Sequence, residues 1–145
     1  MQPELANPPV RILVVDDEPI ARRALVAATQ SCFARPDSAD SGETALALAE
    51  ERQFDLIFLD VRMPGMDGFT TCSKVHETKA NQRTPVVFVT SHSDSESRSQ
   101  AAASGGCGFI SKPVLGKEIL LVALTFILRG RLSSLDRSSE MVLRD

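Results

Sequence analysis

Five side chains, far apart along the chain, carry the chemistry this sequence could do. Asp16 and Asp17 form an acid pair that runs on into Glu18. Asp60 is a lone acid, Thr90 a hydroxyl followed by Ser91, and Lys112 a cation ahead of Pro113. Carboxylates gathered at short range repel one another. They all stay ionised at neutral pH only if a cation joins them; otherwise at least one pKa rises. Oxygen ligands suit a hard divalent ion, and Mg²⁺ takes few carboxylates together with waters and a phosphate. An ammonium and a hydroxyl are both suited to gripping phosphate oxygens. An acid pair, a lone acid, a hydroxyl and a lysine are what phosphoryl transfer to a carboxylate requires.

For these residues to meet, the elements that carry them must end at one place. Each of the five stands at the end of a short apolar run: Arg11–Val15, Asp55–Leu59, Pro85–Thr90 and Gly108–Ser111. Unbroken apolar strands imply burial on both faces and hence a parallel sheet. Helical patterns alternate with them. Pro19–Gln30 has proline at its first position and Ile20, Ala24, Leu25 and Ala28 on one face. Ser41–Gln53 opens on a serine cap, with Ala45, Leu46, Leu48 and Ala49 inward. Gly68–Asn81 and the Ser-rich Asp94–Ser104 follow, then the apolar Leu115–Arg129. The remaining strand lies within Cys32–Ala39, where Pro36 is tolerable only at a sheet edge. The expectation is an α/β fold: a five-stranded parallel sheet of order 2-1-3-4-5 in a flavodoxin-like three-layer sandwich with five helices. Ligands bind such sheets at the carboxyl ends of the strands near the switch point, which the first and third strands flank. Asp16, Asp17 and Asp60 should therefore converge there, with Thr90 and Lys112 alongside.

Composition bounds the rest. The chain has 145 residues, 43% hydrophobic and 24% charged, with a formal net charge of −3. That suits one compact domain and argues against non-specific nucleic-acid binding, which needs a basic surface. Residues 1–9 read as a disordered leader without the basic and apolar regions of a secretion signal. Residues 10–130 read as the domain, and 131–145 as a C-terminal tail or linker. Cys32, Cys72 and Cys107 show no paired spacing, which fits a reducing cytoplasm. They read as small hydrophobes. Ten apolar residues around the last helix are too few to span a bilayer. His92 has no partner with metal-ligand spacing, His76 being the only other histidine.

The segments Val14-Val-Asp-Asp-Glu-Pro19, Leu59-Asp-Val-Arg-Met-Pro-Gly-Met-Asp-Gly68, Val89-Thr-Ser91 and Phe109-Ile-Ser-Lys-Pro113 occur in this order at the ends of the proper strands. In this the chain resembles the receiver domains of two-component response regulators. The resemblance implies that Asp60 is the phospho-acceptor. Asp17 would bind Mg²⁺ directly, Asp16 largely through water, and the Arg62 backbone carbonyl would complete the protein ligands beside Asp60. Lys112 would pair with phosphate oxygens, Thr90 would hydrogen-bond the phosphoryl group, and Phe109 stands where the family keeps its switch aromatic, here without a phenol hydroxyl. The Lys112-Pro113 bond would be cis. Arg62 and His92 would tune water access to the phosphate, unless both are simply solvated. The implied partner is a sensor histidine kinase or a histidine phosphotransfer domain, read through residues such as Ala21, Arg22 and Val114. The implied output surface is the fourth helix, fifth strand and fifth helix, and a homodimer through it is expected. Catalysis would be limited to self-phosphorylation and self-dephosphorylation.

Two segments depart from a plain receiver. Ser91–Ser99 and Ser104–Gly108 contain little that favours helix, which suggests a segment ordered by phosphate. From Ile119 to Leu128 only Thr125 is polar, so the outer side of the last helix should be covered, by another copy of the domain. Leu121, Leu128, Leu135 and Val142 recur at heptad spacing, with mostly polar residues at the intervening d-like positions. Rival readings are a pseudo-receiver that serves as a dimerisation or interaction module without phosphate, and an enzyme on a similar fold. A dehalogenase-type phosphatase wants an acid where Arg62 stands. A flavodoxin wants a phosphate loop where Asp16-Asp17-Glu18 would repel one.

Overall fold

A computed structural model describes residues 9–144, with side chains placed through residue 135. The leader expected at 1–9 lies almost wholly outside the described residues. The elements run β1 (Ile12–Val15), α1 (Pro19–Gln30), β2 (Asp37–Ala39), α2 (Gly42–Glu51), β3 (Leu56–Leu59), α3 (Gly68–Glu77), β4 (Val86–Thr90), α4 (Ser95–Ala103), β5 (Gly108–Ser111) and α5 (Gly116–Arg144). All strand pairs are parallel and the order is β2-β1-β3-β4-β5, as the apolar runs predict.

Burial on both faces explains the unbroken apolar runs. Every residue of β1, β3 and β4 is buried, and successive side chains feed two separate cores. Leu13, Val15, Ile57, Leu59, Val86 and Phe88 pack with Ala45 and Ala49 of α2, Cys72 and Val75 of α3, and Ala101 of α4. Ile12, Val14, Leu56, Phe58, Val87, Val89 and Ile110 pack with Leu25 of α1 and with Ile119, Ala123 and Ile127 of α5. The short β2 pairs only with β1, at the edge, and Pro36 precedes it. Ser41 caps α2 by accepting a hydrogen bond from the Thr44 N–H at 3.1 Å. Asp94 caps α4 in the same way from the Ser97 N–H at 2.7 Å. Of α4 only Ser97 and Ala101 are buried.

Three expectations need correction. On α1 the inward residues are Leu25 and Thr29, while Ile20 is 82% exposed and Ala24 is exposed too. Leu25 and Thr29 are one turn apart, and Ile20 and Ala24 belong to the row beside them. The last helix does not stop at Arg129 but continues through Gly130 to Arg144, so the expected tail extends the helix and is not a separate element. One glycine inside a helix costs only about 1 kcal/mol relative to alanine, too little to stop it.

The third difference is α3, which ends at Glu77 instead of running to Asn81. Asn81 is needed elsewhere. It is fully buried. Its Oδ1 accepts from the Phe54 N–H at 2.8 Å and the Thr84 hydroxyl at 2.7 Å, and its Nδ2 donates to the carbonyls of Ala49 and Arg52 at 2.6 and 2.8 Å. One amide thus ties the end of α2, the start of β3 and the approach to β4. Asn81→Ala leaves buried main-chain groups unpaired and is expected to cost about 3 kcal/mol. Urea denaturation should show a lowered midpoint with an unchanged slope.

Candidate functional site

The register of the sheet builds the site. Val15 lies opposite Leu59, so the next residues, Asp16 and Asp60, leave adjacent strand ends together. The Asp60 N–H donates to the Val15 carbonyl at 2.9 Å, and the Asp16 N–H to the Ala39 carbonyl at 3.1 Å. One oxygen from each of Asp16, Asp17 and Asp60 lies within 4.8 Å of the others. From β5, the Lys112 N–H donates to the Thr90 carbonyl at 2.9 Å. Its Nζ then stands 2.7 Å from Asp16 Oδ2, 3.6 Å from Asp60 Oδ2 and 3.7 Å from Glu18 Oε1. The Lys112-Pro113 peptide is cis.

Asp16 and Thr90 are fully buried and Asp60 is 5% exposed, while Asp17 is half-buried. The carboxylates are aimed by main-chain donors. Asp60 Oδ1 accepts from the Val61 N–H at 2.8 Å, and Asp16 Oδ1 from the Glu18 N–H at 2.9 Å. This leaves Asp60 Oδ2 turned toward Lys112. Arg22, expected to help read a partner, donates from Nη1 to the Asp16 carbonyl at 2.7 Å, which steadies β1's end. The Thr90 hydroxyl accepts from the His92 N–H at 3.2 Å.

The loop after β3 closes one side. Gly65 has φ 79°, a left-handed conformation that other residues rarely adopt. A Cβ on Gly68 would run into the Asp60 carbonyl and the Val61 Cα, so only glycine lets α3 start against the strand end. The side chain of Arg62 is exposed and, with Met63, Phe69, Ser97 and Gln100, lines a groove of about 540 Å³. Phe109 is half-buried against the first core, and the Arg98 guanidinium lies 4.7 Å from its ring centroid. Sequence reasoning missed Arg98, Arg22 as an anchor, and the orienting Val61 N–H. Main-chain donors leave no mark in a sequence, and the Arg98 contact joins α4 to β5.

Electrostatics follow from this geometry. Burial pushes the Asp60 pKa up, and the charge of Asp16 adds to it. Lys112 and the hydrogen bonds from Val61 and Thr90 only partly offset this. For Lys112 burial disfavours the charge, but the hydrogen bond to Asp16 and the fields of Asp60, Asp16 and Glu18 outweigh it, so its pKa is raised. Three gathered carboxylates against one ammonium leave the site short of positive charge. Hard oxygen donors at this spacing, two of them buried, fit a divalent cation such as Mg²⁺. Burial also pushes the Cys72 thiol up to about 11, which suits a core residue better than a reactive one.

A carboxyl whose folded pKa lies above its unfolded value favours the folded state most at low pH. That contribution fades as pH rises through the folded pKa. At neutral pH without divalent ions the site around Asp60 therefore stabilises the fold less than it does at low pH. Asp60→Asn is expected to melt higher than the parent at neutral pH in chelator. The gap should shrink below the ordinary carboxylate pKa and when Mg²⁺ is added to the parent, as thermal denaturation by circular dichroism would read.

Comparison with known proteins agrees with this geometry. The model of the response regulator receiver domain family matches residues 12–124. Response regulator PleD of Caulobacter vibrioides is 41% identical over 113 residues, 78% of this chain and 24% of PleD. Transcriptional regulatory protein ResD of Bacillus subtilis is 35% identical over 124 residues, 86% of this chain and 50% of ResD. The chain thus spans half or less of these relatives. Among solved structures, the chemotaxis protein CheY4 of Vibrio cholerae superposes with a TM-score of 0.76 at 30% identity, covering 83% of this chain and 99% of CheY4. The OmpR/PhoB homologue DrrB of Thermotoga maritima gives 0.74 at 27% identity, covering 85% of this chain and 54% of DrrB. The chain belongs to the receiver-domain family of two-component response regulators.

Proposed function

We propose that this domain accepts a phosphoryl group on Asp60 from a phosphohistidine of a sensor histidine kinase or a histidine phosphotransfer domain. The observation that carries the reading is Asp60 Oδ2, 3.6 Å from a lysine ammonium and beside two further carboxylates. Asp60 Oδ2 attacks phosphorus in line; the new P–O bond forms as the P–N bond breaks, and the imidazole nitrogen leaves with the electron pair. Val61 holds Oδ1, so only one oxygen is offered. Lys112 meets the phosphoryl oxygens and Thr90 donates its hydroxyl to one of them. Asp17, Asp60 and the Arg62 carbonyl, with Asp16 beside them, would hold a divalent cation such as Mg²⁺, which would supply the positive charge that two buried acids lack. Hydrolysis by water returns the free carboxylate, with Arg62 and His92 placed to tune its access. Beyond phosphate gain and loss we assign no catalysis.

The switch runs through Thr90 and Phe109. Thr90 turns its hydroxyl from the His92 N–H toward phosphate, and Phe109 moves into the space released. The α4–β5–α5 surface changes as a result, and a homodimer through that surface is one output. The bound phosphate only biases two pre-existing states. The partner approaches over α1 and the loop after β5, which carry exposed Ile20 and Leu115 beside Ala21, Arg22 and Val114. No described helix is long and apolar enough to cross a membrane. The free cysteines fit a cytoplasmic location.

Incubation with a small phosphodonor and Mg²⁺ should add one phosphoryl mass to the parent and none to Asp60→Asn or to the parent in chelator. Lys112→Ala should accept phosphate more slowly by roughly 10²-fold, the scale for losing one stabilising charge at a reacting centre. A parent that never gains mass would instead make this a pseudo-receiver acting as an interaction module.

A further inference from the structure

We infer that the outward face of α5 is the seam of a parallel, two-stranded coiled coil with a second copy of this chain. This sharpens the proposed homodimer by moving it from the α4–β5–α5 surface to one helix, and it does not depend on Asp60 accepting phosphate.

Among the described residues, large exposed apolar side chains are concentrated on α5. Leu121, Leu124, Leu128, Leu132 and Leu135 are 68%, 42%, 58%, 59% and 63% exposed; none of the other large exposed apolar side chains, Ile20 and Leu115, is on α4 or β5. The steps between the five are three, four, four and three residues, a mean of 3.5, the period of a left-handed coiled-coil seam. At 3.6 residues per turn the five fall within about 80° of arc. The buried residues Ile119, Ala123 and Ile127 centre about 140° away on the same wheel. One face of the helix therefore holds the sheet and another, pointing away, is a continuous leucine stripe.

The helix also leaves its domain. From Leu128 through Leu135 no residue is buried. A 29-residue helix is about 43 Å long, far more than the four- and five-residue strands it packs on require. Helical stability in proteins comes mainly from tertiary packing, and a solvated extension needs no leucines. Arg131 occupies the strict seam position after Leu128, but its Nη2 lies 3.5 Å from Asp55 Oδ1, directed to the domain; Leu132 fills the seam instead.

The size and symmetry of the stripe favour a second copy over other occupants. The five leucines together expose roughly 500 Å², the size of the largest apolar patch on a typical monomer, which is often functional. Two such stripes would bury on the order of 1,000 Å², the threshold for a specific interface. A stripe of identical leucines is self-complementary about a two-fold axis. Leu121, Leu128 and Leu135 stand at heptad spacing, so in a parallel pair each would meet its own copy.

Light scattering across a micromolar to submillimolar series, on the whole chain with and without phosphodonor, should show a dimer in both states. Leu128→Glu with Leu135→Glu changes only exposed positions and should leave the circular dichroism of the domain and phosphate uptake intact, yet weaken dimerisation at least tenfold. With exposed Cys32 and Cys107 replaced by serine, Leu135→Cys should form an interchain disulfide under mild oxidation. A monomer throughout the series overturns the inference, as does a dimer that survives the double substitution. A dimer that never cross-links at residue 135 overturns the parallel seam. A monomeric chain that sediments with anionic lipid vesicles through the same leucines would give the face to a membrane surface instead.

Discussion

The contact between the Lys112 ammonium and Asp16, with Asp60 and Glu18 close behind, is the interaction on which the arrangement depends. A buried carboxylate without a partner is too costly to persist ionised. Asp16 is fully buried and has its lysine at 2.7 Å. The two residues are 96 positions apart, on β5 and at the end of β1, with β3 and β4 between them. Only a sheet with the correct register across four strands brings them together. A slip of one residue would turn every side chain of a strand to the opposite core, and the acids with them. The fold is in this sense a device for holding like charges where they would not gather unaided.

The two apolar cores supply the rigidity for that work. Three strands without an exposed residue cannot slide without breaking both packing layers. Asn81 fixes the opposite end of β3, and Gly68 admits α3 against the Asp60 carbonyl. Local rules are broken at the site, where acids cluster and the Asp60 pKa is pushed up. Proteins that break such rules do so at functional places. The unmatched negative charge that remains is what a divalent cation would offset.

The strand order and the convergence of Asp16, Asp17, Asp60, Thr90 and Lys112 were legible because unbroken apolar runs have one good solution and each run ends in a chemical residue. The edge position of β2 was legible from Pro36. What stayed hidden depends on tertiary neighbours. Asn81 resembles the polar end of a helix until the carbonyls of Ala49 and Arg52 are seen around it. Ile20 looks like a buried position on a wheel whose orientation only Leu25 and Thr29 reveal. Gly130 looks like a helix stop, yet a cost of about 1 kcal/mol does not end a helix whose neighbours favour it.

β5 joins the site to the output side. It leads directly into Lys112, carries Phe109 within, and connects to α5 after a short loop. Phe109 is held by Arg98 through a cation–π contact that, at a partly exposed position, contributes on the order of 0.5–1 kcal/mol. Hydrogen bonds to a charged group contribute about 1.5–3 kcal/mol each. On the proposed reading, a phosphoryl group that gained Thr90 and Lys112 as donors would outweigh the Arg98 contact several times over, so the aromatic would be restrained firmly enough to favour one position and weakly enough for phosphate to move it. α5 follows a different logic. Its inner face is fixed by Ile119, Ala123 and Ile127, so a change at β5 can reach the leucine stripe only by shifting the whole helix as a rigid body. If α5 pairs as inferred, rigid-body displacement would change the angle between the paired helices without breaking their seam, and a constitutive dimer would still report the state of Asp60.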